Sequence, residues 1–260
     1  MLTEQVVSEA VRAAHLDAPV HFLEVTDSTN SDLLRLADEG APEWTVVVAN
    51  QQEAGRGRLG RAWVSTPGSS LLVSVLLRPK LAAVDAPLIT LAAGAAMALA
   101  CREACDVPAT CKWPNDLMVE ARKLGGVLVE AKVQEARLHH AVIGSGVNLT
   151  QAPDDFPVEF REAATSVSME EGRPEPAALL TAYLTHLKPL CETSDPGIRT
   201  QILDTYVDVC DTIGRFVRAM TTSRVTITGR AAAIGYFGEL IVQTAKGQEP
   251  VRFGEIAHLD

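Results

Sequence analysis

Between residues 109 and 148 the sequence holds four short apolar runs in quick succession, and this spacing constrains the fold more than any other feature. The runs are Ala109 to Trp113, Leu117 to Glu120, Gly125 to Ala131 and Leu138 to Asn148. A parallel strand pair needs a crossover of a dozen or more residues, so the last three runs are expected to pair antiparallel. Upstream, helical spacing of Val6, Val7, Ala10, Val11 and Ala14 predicts a helix over 2–16. Val20 to Val25 reads as a strand, and Asp27-Ser28-Thr29-Asn30 offers N-cap chemistry for a helix ending near Gly40. Thr45 to Ala49 and Leu71 to Leu77 read as strands, and Asp85 as the cap of an Ala-rich helix reaching about Ala104. Pro174 to Cys191 and Ile198 to Val209 read as helices broken by Asp195-Pro196-Gly197.

Past Gly214 the pattern changes to short strands set off by turn residues. They are Phe216 to Met220, Arg224 to Gly229, Ala231 to Tyr236, Leu240 to Thr244 and Pro250 to Phe253. The expected architecture is α+β, with a mixed-sheet domain over 1–210 and a small β-barrel over 211–260. With 47% apolar and 22% charged residues the chain has ample material for a core. Its net charge of −10 argues against general nucleic-acid binding, so any phosphate chemistry needs a local basic pocket. Five cysteines without a paired motif read as reduced, mostly structural thiols, and no Cys/His cluster suggests zinc. The start, Met1 to Ala18, is an acidic helix pattern rather than a signal peptide. The apolar run Leu88 to Cys101 is shorter than the ~20 residues a bilayer span needs and contains Gly94, so it reads as a buried helix. A cytoplasmic protein with no membrane partner is the expectation. His139 and His140 read as surface residues near a turn.

Four segments carry chemistry. Gly55-Arg56-Gly57-Arg58-Leu59-Gly60-Arg61 followed by Trp63 matches the dinucleotide fingerprint by letter, yet no helix opens at its third glycine. Three arginines among those glycines point to anion binding by side chains and backbone N–H groups together. In Lys112-Trp113-Pro114-Asn115-Asp116 the proline forbids a regular helix and sets an amide and a carboxylate on a tight turn. Arg122-Lys123-Leu124-Gly125-Gly126-Val127-Leu128-Val129-Glu130 places a lysine at the mouth of a strand whose glycines permit close approach of a backbone or ligand. Gly144-Ser145-Gly146-Val147-Asn148 ends another strand. Asn148-Leu149-Thr150 also spells a glycosylation sequon, which reads as accidental.

In their order and spacing, from about Thr26 onward, these motifs resemble the biotin protein ligases, relatives of the lipoate ligases and octanoyl transferases. The resemblance implies a biotin/lipoate ligase-like catalytic domain closed by a small SH3-like domain. It implies that biotin is activated with ATP, with Mg2+ expected, to biotinyl-adenylate. The acyl group then passes to a lysine of a biotin carboxyl carrier domain of an acyl-CoA carboxylase. Carried over residue by residue, Ser28, Thr29, Asn30 and Gln52 should line the biotin pocket, with Arg56, Gly57, Arg58, Gly125 and Gly126 around it. Lys123 should meet the biotin carboxylate and the acyl-phosphate oxygens. Arg58, Arg61, Trp63, Lys112, Asn115, Lys123 and Asn148 should serve ATP. Lys123, Arg58, Lys112 and Asp116 are the expected catalytic set, Asp116 orienting the incoming lysine or a metal. No metal ligands are assigned. Some members carry an N-terminal winged helix-turn-helix and act as repressors. About 20 residues precede the catalytic segment here, so a ligase without repressor function, monomeric or homodimeric, is expected. Leu59 stands where the family often has a basic residue. The competing readings are a lipoate ligase or octanoyl transferase, a non-catalytic biotin-responsive regulator, and a nicotinamide dehydrogenase.

Overall fold

The computed structural model describes residues 2–192, 197–221, 225–252 and 254–259. Its first sheet has seven strands: β1 (Val20–Thr26), β2 (Val46–Gln52), β3 (Ser70–Leu77), β4 (Thr110–Lys112), β5 (Asp116–Val119), β6 (Arg122–Gln134) and β7 (Arg137–Asn148). They lie in the order β1-β2-β3-β7-β6-β5-β4. Only β1 and β2 are parallel, joined by the crossover helix α2 (Thr29–Asp38); every other pair is antiparallel, as the short connections between β5, β6 and β7 require for those three.

The two faces of this sheet differ. One packs on α3 (Ala86–Cys105), an all-round apolar helix whose burial is the centre of the main core. Around it lie α1 (Glu4–Ala13), α4 (Pro176–Cys191) and α5 (Ile198–Val209). The helix with its leading turn, Ala83–Cys105, is long and apolar enough to cross a membrane, so length does not decide against a span as the sequence suggested; its burial within the protein does. On the opposite face α2 covers a smaller core of Leu33, Ala37, Val47, Leu76 and Val142. Asp85 stands at the N-cap of α3, but its carboxylate accepts from Arg199 Nη2 at 2.8 Å instead of capping. Ser28 likewise holds the N-cap position of α2 without a side-chain cap. The break expected at Asp195-Pro196 lies outside the described residues.

The second sheet is antiparallel, with β8 (Phe216–Thr221), β9 (Thr226–Ile234), β10 (Leu240–Thr244), β11 (Gly247–Val251) and β12 (Gly254–His258) in the order β11-β10-β9-β8-β12. The break expected between Gly229 and Ala231 is absent. Gly229 continues β9 because a Cβ there would sit 2.2 Å from the Gln243 carbonyl oxygen, so the glycine permits close strand contact rather than a turn. The strand expected to start at Arg224 and the one ending at Phe253 reach outside the described residues; β12, which the sequence reading left unassigned, closes the sheet against β8.

All five cysteines are free. Burial pushes the Cys105 thiol up to about 11 and those of Cys101, Cys111, Cys191 and Cys210 upward as well. The surface expectation holds for His139 but not for His140, which is buried on β7, its Nδ1 3.0 Å from that of His139. Period-two alternation explains the difference: neighbours on a strand face opposite sides.

Candidate active site

Beside the N-terminus of α2 the sheet face is left open, and a cleft of about 690 Å³ occupies the gap. Its floor is polar and buried. Ser28, Thr29 and Asn30 enter from the start of α2, and Gln52 from the end of β2. Gln52 Oε1 accepts from the Thr29 backbone N–H at 2.9 Å and lies 3.0 Å from the Thr29 hydroxyl. Asn30 Nδ2 donates to Glu130 Oε2 at 2.8 Å and to the Leu128 carbonyl at 3.3 Å. The two glycines of the β7 motif make this floor possible. A Cβ on Gly144 would lie 2.3 Å from Asn30 Oδ1, and one on Gly146 2.8 Å from the Trp63 ring. Trp63 therefore lies on the sheet, and its buried indole N–H has no partner among the described residues.

The rim is basic. The glycine–arginine loop folds back on itself: Gly57 N–H donates to the Arg61 carbonyl at 2.7 Å, and Arg56 bridges Ala62. A single 3-10 turn, Arg58–Gly60, forms its tip, with Leu59 at φ 56 and exposed. No helix opens there, as the sequence context indicated. Arg56 pairs with Glu130 at 2.8 Å and Arg61 with Glu255 at 2.7 Å. Arg58 donates to Asn115 Oδ1 at 2.9 Å and to the Gly254 carbonyl at 3.2 Å. Burial pulls the Arg58 guanidinium below its ordinary range, and the nearby Asp116 and Glu255 pull the other way.

The Lys112–Asp116 segment is a hairpin turn in which Lys112 pairs with Asp116 across β4 and β5. Loops flanking the strands of the second sheet hold it from behind: Trp113 N–H donates to Thr212 Oγ1 at 3.0 Å and its indole N–H to the Gly238 carbonyl at 3.0 Å. Asn115 donates to the Val127 carbonyl at 2.8 Å, so its amide ties the turn to both Arg58 and β6. Lys123 is paired with Asp116. Its backbone N–H donates to the Ala163 carbonyl at 2.7 Å, which draws the 156–164 loop over the cleft. The Lys112 side chain lines the cleft with no hydrogen bond or ion pair among the described residues. Asn148 also faces the cleft, its amide donating to the Thr165 carbonyl at 2.9 Å and accepting from Gln151 at 3.2 Å.

Of the residues given a binding or catalytic role from the sequence, Gly125 alone does not line this cleft. A Cβ there would lie 2.5 Å from the Gly146 carbonyl oxygen, so Gly125 serves strand contact between β6 and β7, while Gly126 faces the cleft. Sequence reasoning missed Ser74, whose hydroxyl lies beneath the floor 2.7 Å from Thr29 Oγ1 and 2.6 Å from Asn30 Oδ1. A lone hydroxyl inside the apolar strand β3 was a readable signal. It also gave no site role to Glu130, at the end of the Arg122 motif, to the Phe156 and Phe160 walls, or to Glu255 and Ile256 of the second sheet. A larger cavity of about 820 Å³ lies beyond the glycine–arginine loop. Ser28, Thr29, Asn30, Gln52 and both cleft lysines are absent from its walls, so the chemistry belongs to the smaller cleft.

Comparison with known proteins agrees with this layout. Residues 22–148 match the Biotin/lipoate A/B protein ligase family, and residues 212–259 match the Biotin protein ligase C terminal domain. The bifunctional ligase/repressor BirA of Bacillus subtilis is 32% identical over 98% of this chain and 78% of its own length. The biotin–[acetyl-CoA-carboxylase] ligase of Mycobacterium tuberculosis is 30% identical over 90% of this chain and 86% of its own. The biotin protein ligase of Aquifex aeolicus in complex with biotin and ATP superposes with a TM-score of 0.71 at 26% identity, covering 92% of this chain and 97% of that one. Sequence motifs, sheet topology and cleft thus converge, and the chain belongs to the biotin protein ligase family.

Proposed function

We propose that this protein condenses biotin with ATP to biotinyl-adenylate and transfers the biotinyl group to a lysine of a carrier domain of an acyl-CoA carboxylase. The observation that carries this reading is one cleft joining a neutral, hydroxyl- and amide-lined floor to a rim with Arg56, Arg58, Lys112 and Lys123. The floor suits an uncharged polar ring, and the rim suits a carboxylate meeting a triphosphate.

In the first half-reaction a biotin carboxylate oxygen bonds to the α-phosphorus and pyrophosphate leaves. Repulsion between the two anions is the main barrier, and fixed cations lower it most where charge builds up. We assign Lys123 to the carboxylate and α-phosphate, Lys112 and Arg58 to the phosphate oxygens, and Arg61 to the outer phosphates. Trp63 with Asn115 and Asn148 would face the nucleoside. In the second half-reaction a neutral lysine amine attacks the acyl carbon, AMP leaves, and the amine loses a proton. Asp116 is suited to hold that amine once Lys123 turns to the adenylate. Among the described residues no three His, Cys, Asp or Glu side chains cluster as a metal site. The donor set instead fits a Mg2+ carried mainly by the triphosphate, with Asp116 as the available carboxylate. Such an ion would screen the phosphate charge.

We place the division between the ligase domain and the C-terminal domain at 210/211. The net charge of −10 supports a ligase with no DNA-bound role, and five free thiols support a reducing, cytoplasmic setting. The test is exchange of labelled pyrophosphate into ATP with biotin, lipoate and octanoate in parallel. Exchange with biotin alone is expected. Exchange with lipoate or octanoate instead would move the substrate, and no exchange with any acid would defeat the reading.

A further inference from the structure

We propose that Glu130 is a positioning residue that sets the hydrogen-bond polarity of the cleft floor and leaves it one proton short, so that the floor selects a ligand bearing an N–H donor; this rests on the biotin reading above. Glu130 stands on β6 opposite Val142, outside the cleft itself, with its side chain 27% exposed. One oxygen, Oε2, accepts from both Asn30 Nδ2 and Arg56, each at 2.8 Å. An ionised carboxylate only accepts, so the Asn30 amide must turn its NH2 toward it. The second amide hydrogen goes to the Leu128 carbonyl at 3.3 Å. Asn30 Oδ1 is thereby fixed as an acceptor facing Ser74.

The other end of the network is fixed as well. The Thr29 backbone N–H, 2.9 Å away, makes Gln52 Oε1 an acceptor. Between these two acceptors run three oxygen–oxygen contacts: Gln52 to Thr29 at 3.0 Å, Thr29 to Ser74 at 2.7 Å and Ser74 to Asn30 at 2.6 Å. Only the Thr29 and Ser74 hydroxyls lie along this path, and each has one proton. However they rotate, one of the three contacts opposes two lone pairs. Ser74 is fully buried, so water does not reach it to relieve the deficit. Thr29, Asn30 and Gln52 do line the cleft, and an N–H donated to one of their oxygens draws off lone-pair density and offsets the repulsion. A cyclic urea carries such donors. The dithiolane ring of lipoate and the alkyl chain of octanoate carry none, and a site with an unmet polar group discriminates strongly on that basis.

Glu130→Gln tests this in the full chain. Where Oε2 stood, a glutamine can place its NH2, which donates to Asn30 Oδ1 and gives up the part-exposed Arg56 pair. The Asn30 amide can then reverse, giving up the long Leu128 contact and donating to Ser74, which completes the proton count. Biotin-dependent pyrophosphate exchange and thermal melting are measured on the wild type and E130Q. The KM for biotin is expected to rise about tenfold, the value of one hydrogen bond, with kcat within about threefold and a melting temperature no lower than wild type. The preference for biotin over lipoate should narrow. A biotin KM within about twofold of wild type overturns the proposal. So does a raised KM accompanied by a lower melting temperature or a parallel fall in kcat, which would mark a structural role. Absence of biotin-dependent exchange in the wild type defeats the underlying reading instead, and the proposal with it.

Discussion

The floor and the rim of the cleft are built on opposite principles. The floor is uncharged, largely buried and laid out along a chain of polar contacts from Gln52 through Thr29 and Ser74 to Asn30, which Glu130 holds from outside. Its positions are set before any ligand arrives, by packing against Gly144 and by the start of α2. On the rim, Arg56, Arg61 and Lys123 each hold a carboxylate of the protein itself. A polyphosphate must displace these acids to gain the cations. The contrast teaches that shape selection and charge stabilisation are separated in space, and that the rim exchanges ion pairs where the floor keeps its bonds.

The largest effect should come from the rim. Lys123→Ala is expected to slow adenylate formation by about a hundredfold, or ~3 kcal/mol, the scale of one lost transition-state donor, read as the kcat for pyrophosphate exchange. A rate near wild type would remove Lys123 from the chemistry. Next, Gly144→Ala drives a methyl into Asn30 and so attacks the floor alone. A cost of ~1–3 kcal/mol is expected, seen as a biotin KM raised about tenfold or more while the ATP KM stays within about twofold. Equal rises in both would show that floor and rim are one unit.

Arg61→Ala should do less. The Arg61 side chain is 66% exposed, so its pair with Glu255 contributes under ~1 kcal/mol to stability, and melting should barely move. The ATP KM should rise by less than about tenfold, the rise shrinking as salt is added. An undiminished effect at high salt would mean a buried contact. Smallest of all is Leu59→Arg. Leu59 is 62% exposed at the loop tip, so a new guanidinium there should change the ATP KM by less than about twofold. A larger gain would show that the tip reaches the phosphates.

The motif residues were legible because chemistry and local structure coincide in one stretch of chain. Ser28-Thr29-Asn30 is both a helix start and a row of hydroxyl and amide groups, and Lys112 to Asp116 is both a turn and a charge cluster. Ser74 was readable as the one hydroxyl in the interior of an apolar strand, but its use depends on what α2 lays above it. Gly125 and Gly126 look identical in sequence; strand alternation alone sends one to the β7 backbone and the other to the cleft. Glu130 ends the Arg122 motif with nothing in the sequence to assign it a role. Its partners lie 74 and 100 residues away in the chain, and no local pattern announces such contacts.

By itself the sequence determined the α+β class, the antiparallel run from β5 to β7, and the residue types that face the cleft. Periodicity, turn chemistry and connection length act within a few residues, so they can be read from the chain. Only the tertiary structure decided how Arg58 and Arg61 reach Gly254 and Glu255 of the second sheet, and how Trp113 is anchored to Thr212 and Gly238. Such contacts depend on where two sheets come to rest against each other, and that is set by the summed packing of the whole core.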